Sequence, residues 1–186
     1  MNENDSPSLN SNFYFSKRII YILIFFLIFL NIAVRIPFVS HERAGYDSYF
    51  NHSMAQEISI NGYASWFDNP LSYFGLYPYS YPSGNPFLIS GYSLVSGIDI
   101  EHSILILDFI LPIISLFGII CIAHEIFPNP FFIFICGTVF SIAPKIIEYS
   151  YWLTSGRTLL ALLIPIFYFL LIKVVKKSKR KVRPKI

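Results

Sequence analysis

The stretch IIYILIFFLIFLNIAVRIPF, residues 19–38, decides how this chain is read. Lys17 and Arg18 stand just before it. Its apolar run is about as long as a helix needs to cross the ~30 Å hydrocarbon core of a bilayer. A secretory signal also opens with a short basic region, but Val34-Arg35-Ile36-Pro37 makes a poor cleavage site, so the run reads as an uncleaved span. Three more apolar runs follow, at residues 104–123, 131–147 and 158–175, each near crossing length. With 54% hydrophobic and 13% charged residues among 186, a soluble domain would lack polar surface. The expected fold class is an all-α membrane protein with about four transmembrane helices and a long outer loop that contains amphipathic helices.

Charge sets the expected orientation. Eight of the fourteen basic residues lie from Lys173 onward, directly after the last apolar run. Such a run could be a nucleic-acid or anionic-lipid patch, but directly after an apolar span it reads as a cytoplasmic topology anchor by the positive-inside rule, with membrane lipids as partners and no nucleic acid expected. Lys17 and Arg18 place the other end on the same side. Residues 39–103 carry Glu42, Asp47, Glu57, Asp68, Asp99 and Glu101 against Arg43 alone, which suits the outer side. The chain thus divides into a disordered cytoplasmic tail (1–16), a first transmembrane helix (17–38), an extracytoplasmic loop with interfacial helices (39–103), three transmembrane helices (104–175) and a basic cytoplasmic tail (176–186). The expected location is the cell membrane, multi-pass, with both termini in the cytoplasm.

The outer loop is too long for an idle connection. Tyr46, Tyr49, Phe50, Met54 and Ile58 recur at helical spacing, which predicts an amphipathic helix lying on the membrane. Asn61-Gly62 would end it through a left-handed cap. Residues 86–98 form an apolar piece too short to cross, expected to be interfacial or re-entrant. Pro128-Asn129-Pro130 predicts a tight turn between the second and third spans.

Several residues could carry chemistry. Asp47, just outside a span at a helix start, could hold a divalent cation or take a proton, or could simply cap the helix. Asp68, after Trp66-Phe67, could act in a site or open the turn Asp68-Asn69-Pro70. The run from Tyr77 to Pro86 is a rigid Tyr-Pro loop whose rings could stack on sugars or sit in an aromatic belt. Arg157, at the outer mouth of the fourth span, could pair with a lipid phosphate or snorkel to headgroups, and Lys145 and Glu148 share its connection. Asp108 lies about one turn inside the second span, where an ionisable group is by default functional; it is also close enough to the outer surface to be simply hydrated. Cys121 and Cys136 read as small core residues, and His41, His52, His102 and His124 are too scattered for a metal cluster.

Taken in order, Arg35-Ile36-Pro37, Tyr46-Asp47-Ser48-Tyr49-Phe50-Asn51-His52, Asn61-Gly62, Trp66-Phe67-Asp68 and Tyr81-Pro82-Ser83-Gly84-Asn85-Pro86 resemble the N-terminal part of the oligosaccharyltransferase catalytic subunit, within the GT-C superfamily of membrane glycosyltransferases. The resemblance covers residues 35–86, with Ala143-Pro144 as a further echo. It implies transfer of a sugar or oligosaccharide from a polyprenyl-phosphate or polyprenyl-diphosphate carrier to a protein or lipid acceptor on the outer face. It implies Asp47 as the catalytic and metal-binding carboxylate, with Mg or Mn as the cation. Arg157, Asp68, Tyr81 and Trp66 would bind substrate. The family often places an acidic pair after Ala-Pro; here the stretch reads Thr154-Ser155-Gly156-Arg157-Thr158, which points to a branch using a lipid monophosphate donor. The chain is far shorter than those enzymes. It reads as a truncated product, one piece of a split gene, or a small relative. The alternative is a non-catalytic multi-span protein that binds partner helices or the lipid carrier.

Overall fold

A computed structural model describes residues 17–39, 46–64, 83–150, 152 and 156–182. The expected disordered tail, most of the Tyr-Pro loop and the last four residues lie outside the described residues. Among the described residues the chain is all helical, without strands.

Helix α1 (Lys17–Ala33) takes up the opening apolar stretch but stops short of Phe38. Pro37 explains this: it disfavours helix in the residue before it and has no N–H to give. The chain turns at Val34 and Arg35, and Ile36–Phe38 forms a single 3-10 turn. Helix α2 (Tyr46–Asn61) ends where expected, with Gly62 at φ 75° and its N–H on the Ile58 carbonyl. Helix α3 (Gly84–Ser96) closes in the same way at Gly97, φ 72°. Helix α4 (Ile100–Ile126) is capped by Asp99, whose carboxylate accepts from the His102 backbone N–H at 3.3 Å and lies 2.6 Å from its ring Nδ1. Helix α5 (Pro130–Ile142) starts at the expected turn, where Asn129 Oδ1 accepts from the N–H groups of Phe131 and Phe132.

The expected third span, 131–147, is not one helix. Pro144 forces Ala143 to an extended ψ of 120°, and a short helix α6 (Pro144–Glu148) follows. Helix α7 (Gly156–Val182) runs past residue 175, so most of the expected separate basic tail is its last turns. Of the four expected spans, α4 and α7 are long and apolar enough to cross a membrane. Arg18–Ala33 and Pro130–Ile142 are apolar but shorter.

Helix α4 is the axis, packed against α7, α5, α1 and α3. Gly118 permits the α4–α7 approach: a Cβ there would sit 2.9 Å from the Ile166 nitrogen and 3.0 Å from Pro165 carbons. Gly137 of α5 faces Leu27 of α1 in a similar notch, and Phe26 and Phe134 meet beside it at 5.9 Å. The core joins Ala55, Ile89, Ile104, Leu107, Leu111 and Leu162. Helices α2 and α3 pair with each other at one end of this bundle. The face that α2 buries is Ser48, Asn51, Met54, Ala55 and Ile58. Met54 and Ile58, expected to face a membrane surface, therefore point into the protein. The face of α3 that packs is Asn85, Pro86, Ile89, Ser90 and Ser93, while Val95 is 91% exposed.

The opposite end gathers the start of α1, the close of α4, the start of α5 and the close of α7. There Lys173 and Lys176 both reach the Glu125 carboxylate. An apolar cavity of about 270 Å³ opens there among Ile20, Leu23, Leu27, Ile120, Pro130 and Phe134.

Two outcomes follow from this packing. Gly118→Val forces α7 backbone to move, and a loss of about 2 kcal/mol is expected. Thermal unfolding in detergent micelles measures it, with Gly137→Ala as the milder comparison, because there a flexible Leu27 methyl is what must yield. The second outcome concerns the α4 cap. The His102 N–H, with the His102 ring, holds the Asp99 carboxyl below its ordinary value. A carboxyl lowered by folding stabilises the fold fully above about pH 4, its unfolded-state value, and loses that contribution as pH falls through the folded-state value. Amide exchange in the first turn of α4 should be faster in Asp99→Ala than in wild type at about pH 7, and the gap should narrow as pH falls below the ordinary carboxylate range.

Candidate functional site

The end of the bundle that carries α2 and α3 also carries a buried polar cluster. Asn31 and Arg35 lie four residues apart, on one side of the close of α1, and are 0% and 2% exposed. Asn31 Nδ2 donates to Ser141 Oγ of α5 at 3.2 Å. Arg35 Nε donates to Ser150 Oγ at 2.7 Å, and its Nη1 donates to the Asn31 carbonyl. From α4, Asp108 Oδ2 accepts from the Trp152 backbone N–H at 2.7 Å. Ser48 of α2 donates its hydroxyl to the Trp152 carbonyl.

Burying an arginine and an aspartate is costly unless each is offset. They are close enough to attract one another electrostatically. With Val39, Leu105, Phe109, Ser150 and Trp152 they line a cavity of about 10 Å³, the size of one water. No substrate group fits there. The cluster can hold chain segments together but cannot itself take a phosphate or a sugar.

An open cleft lies nearby. Tyr49, His52, Ser53, Gln56 and Ser59 of α2 face Ser93, Asp99 and Glu101 across about 650 Å³. His52 Nε2 is 4.0 Å from Glu101 Oε1. This volume is in the range of small-molecule sites, and its lining is polar enough to suit a hydrophilic ligand.

Asp47 falls in the first turn of α2, and its side chain lies outside what the structure describes. Trp66, Asp68 and Tyr81 lie outside the described residues. Arg157 sits exposed in the first turn of α7. Lys145 and Glu148 pair with each other at 2.8 Å within α6. That bond, with the neighbouring Tyr149 as a lesser contributor, holds the Lys145 ammonium above its ordinary value. Asp108 is 7% exposed and bonded to backbone rather than hydrated. Among the described residues no three His, Cys, Asp or Glu side chains gather to hold a metal.

Sequence reasoning missed the partners in the cluster: Asn31, Ser141, Ser150 and Trp152. One signal was present. Asn31 and Arg35 are polar residues one helical turn apart in an apolar run, which marks an inward-facing stripe.

Comparison with protein-family models, with curated proteins and with solved structures finds no match to this chain.

The cluster makes a prediction of its own. Arg35→Met leaves the Asp108 carboxylate buried without its cation, and should cost about 3 kcal/mol of stability. Arg35→Met combined with Asp108→Leu removes both charges and should cost clearly less than the two single losses added. Thermal unfolding of the four proteins in one detergent gives the coupling.

Proposed function

We propose that this chain is a GT-C-type membrane glycosyltransferase, or the N-terminal portion of one. It would transfer a sugar or oligosaccharide from a polyprenyl-phosphate or polyprenyl-diphosphate carrier to a protein or lipid acceptor on the outer face. One observation carries the proposal: the ordered series Arg35-Ile36-Pro37, Tyr46-Asp47, Asn61-Gly62, Trp66-Phe67-Asp68 and Tyr81-Pro82-Ser83-Gly84.

The fold supports a lipid setting. Only 17% of the most apolar α7 window is buried against the rest of the protein, whereas a core helix of a soluble protein would be mostly buried. Phe25 and Phe29 of α1, Val139 of α5 and Phe167 of α7 are each about 60% exposed or more. In this reading α1, α4 and α7 cross the bilayer, and the chain from α5 through α6 returns across it, since the 13 residues of α5 alone cover about 20 Å. The 17 residues of α1 cover about 25 Å, and local thinning of the bilayer or the 3-10 turn makes up the remainder. Lys17, Arg18 and the lysines of α7 then face the cytoplasm, while α2, α3 and Arg157 face the outer side.

At that outer end Asp47 would take the proton of the acceptor as it attacks the sugar. Arg157, free to swing at the start of α7, would stabilise the charge on the departing phosphate. Asp68, Trp66 and Tyr81 would shape the sugar pocket. A divalent cation, Mg or Mn, would draw on Asp47 and offset phosphate charge. The described residues supply no set of three ligands for it, and the proton and phosphate steps stand without it.

The test is transfer of a labelled lipid-linked sugar in membranes that contain the chain. Asp47→Ala should slow transfer by roughly 100-fold or more. Equal transfer by wild type and Asp47→Ala removes Asp47 from the mechanism. Wild type that binds the donor without transferring it favours the non-catalytic carrier-binding reading.

A further inference from the structure

We infer that Asp108 is a positioning residue: through Trp152 it fixes the first turn of α2, the turn that bears Asp47. Its meaning for catalysis rests on the glycosyltransferase reading above, but the geometry is independent of it.

Asp108 is buried in the first third of an apolar helix, where a carboxylate is retained only for what it bonds. The group it bonds is the backbone N–H of Trp152, at 2.7 Å. Trp152 has φ 47°, a left-handed conformation that a bulky residue adopts only when its surroundings impose it. The buried Asp108 oxygen on its N–H is one such constraint. The other side of the same residue is used as well: its carbonyl takes the hydroxyl proton of Ser48. Ser48 is the next residue after Asp47, and it is 1% exposed. Arg35 steadies the segment from the α1 side through Ser150. A chain of contacts therefore runs from α4 through Asp108 to Trp152 and on to Ser48. Helix α2 also pairs with α3, and its Ala55, about two turns further along, joins the core that holds Ile89 of α3 and Ile104 of α4. Its first turn is linked to α4 through Trp152 as well.

Amide hydrogen exchange on the full chain in nanodiscs tests this, with wild type, Asp108→Ala, Ser48→Ala, the double variant and Asp108→Asn. Exchange in Tyr46 to Asn51 should quicken about tenfold in either alanine variant, the loss of one charge-assisted link. The double variant should be no faster than the faster single. Amides around Gly118 should stay protected throughout. Asp108→Asn keeps an oxygen that can accept from Trp152 and should restore much of the protection. Unchanged exchange at α2 in Asp108→Ala, simple addition in the double variant, or an equal rise in every helix would each overturn the inference. If Asp108→Ala fails to fold, Ser48→Ala decides alone: protection of α2 as in wild type overturns it. In the transfer assay Asp108→Ala should lower kcat with KM held. Wild type without transfer would sink the enzyme reading and leave the exchange result standing.

Discussion

Two opposite charges, Arg35 at the close of α1 and Asp108 inside α4, meet at one buried corner, and the segment around Ser150 and Trp152 is held between them. Neither charge could be kept there alone. An isolated ion in such surroundings costs more than packing can return, so each is retained by hydrogen bonds and by the field of the other. The consequence is geometric. Four parts of the chain far apart in sequence (α1, α4, the Ser150/Trp152 segment and the start of α2) are brought into one fixed relation. Apolar packing could not specify this, because apolar side chains slide and repack at small cost, whereas hydrogen bonds to backbone N–H and carbonyl groups have one arrangement.

The helical bundle on which this corner rests depends on small residues. Helix α4 has α7 along one side, and at Gly118 the two approach closely, opposite Pro165. Proline inside α7 leaves a carbonyl one turn earlier without its usual donor. A glycine opposite gives the altered backbone room. At the far end Glu125 ties α4 to α7 through Lys173 and Lys176, so the pair is fixed at its middle and at its basic end. The polar corner then has a firm base, and α2 and α3 can be seated on it although neither would be stable as an isolated helix of its length.

Legibility in the sequence followed the range of the interactions. Features set by a few neighbouring residues were readable: the stop of α2 at Gly62, the start of α5 after Asn129 and the long apolar α4. The break at Pro144 was equally local, but the apolar residues on both sides hid it within one hydropathy window. The direction of the α2 apolar face was not readable. Its pattern gives Met54 and Ile58 a common side, yet only the folded chain decides that the side turns inward. The buried corner was least legible. Arg35 is read only within Val34-Arg35-Ile36-Pro37, and Trp152 carries no reading. Their partners lie 115 and 44 residues away, so no spacing rule connects them.

The two ends of the bundle differ in a way that bears on function. At the basic end, polar groups are concentrated in ion pairs near the surface, and the space between helices is an apolar cavity. At the other end the polar groups go inward, and an open polar cleft lies beside them. A protein that only had to sit in a membrane would have no use for this asymmetry, since charged groups inside an apolar bundle are costly wherever they are placed. Rigid polar bonding beneath an open cleft is what a site needs when a reactive side chain must be held in one position while a ligand comes and goes. The first turn of α2 lies between the two: bonded below through Ser48, and lining the cleft above with Tyr49 and His52. Asp47 belongs to that turn, so whatever it acts on, its backbone adjoins the bond from Ser48 to Trp152.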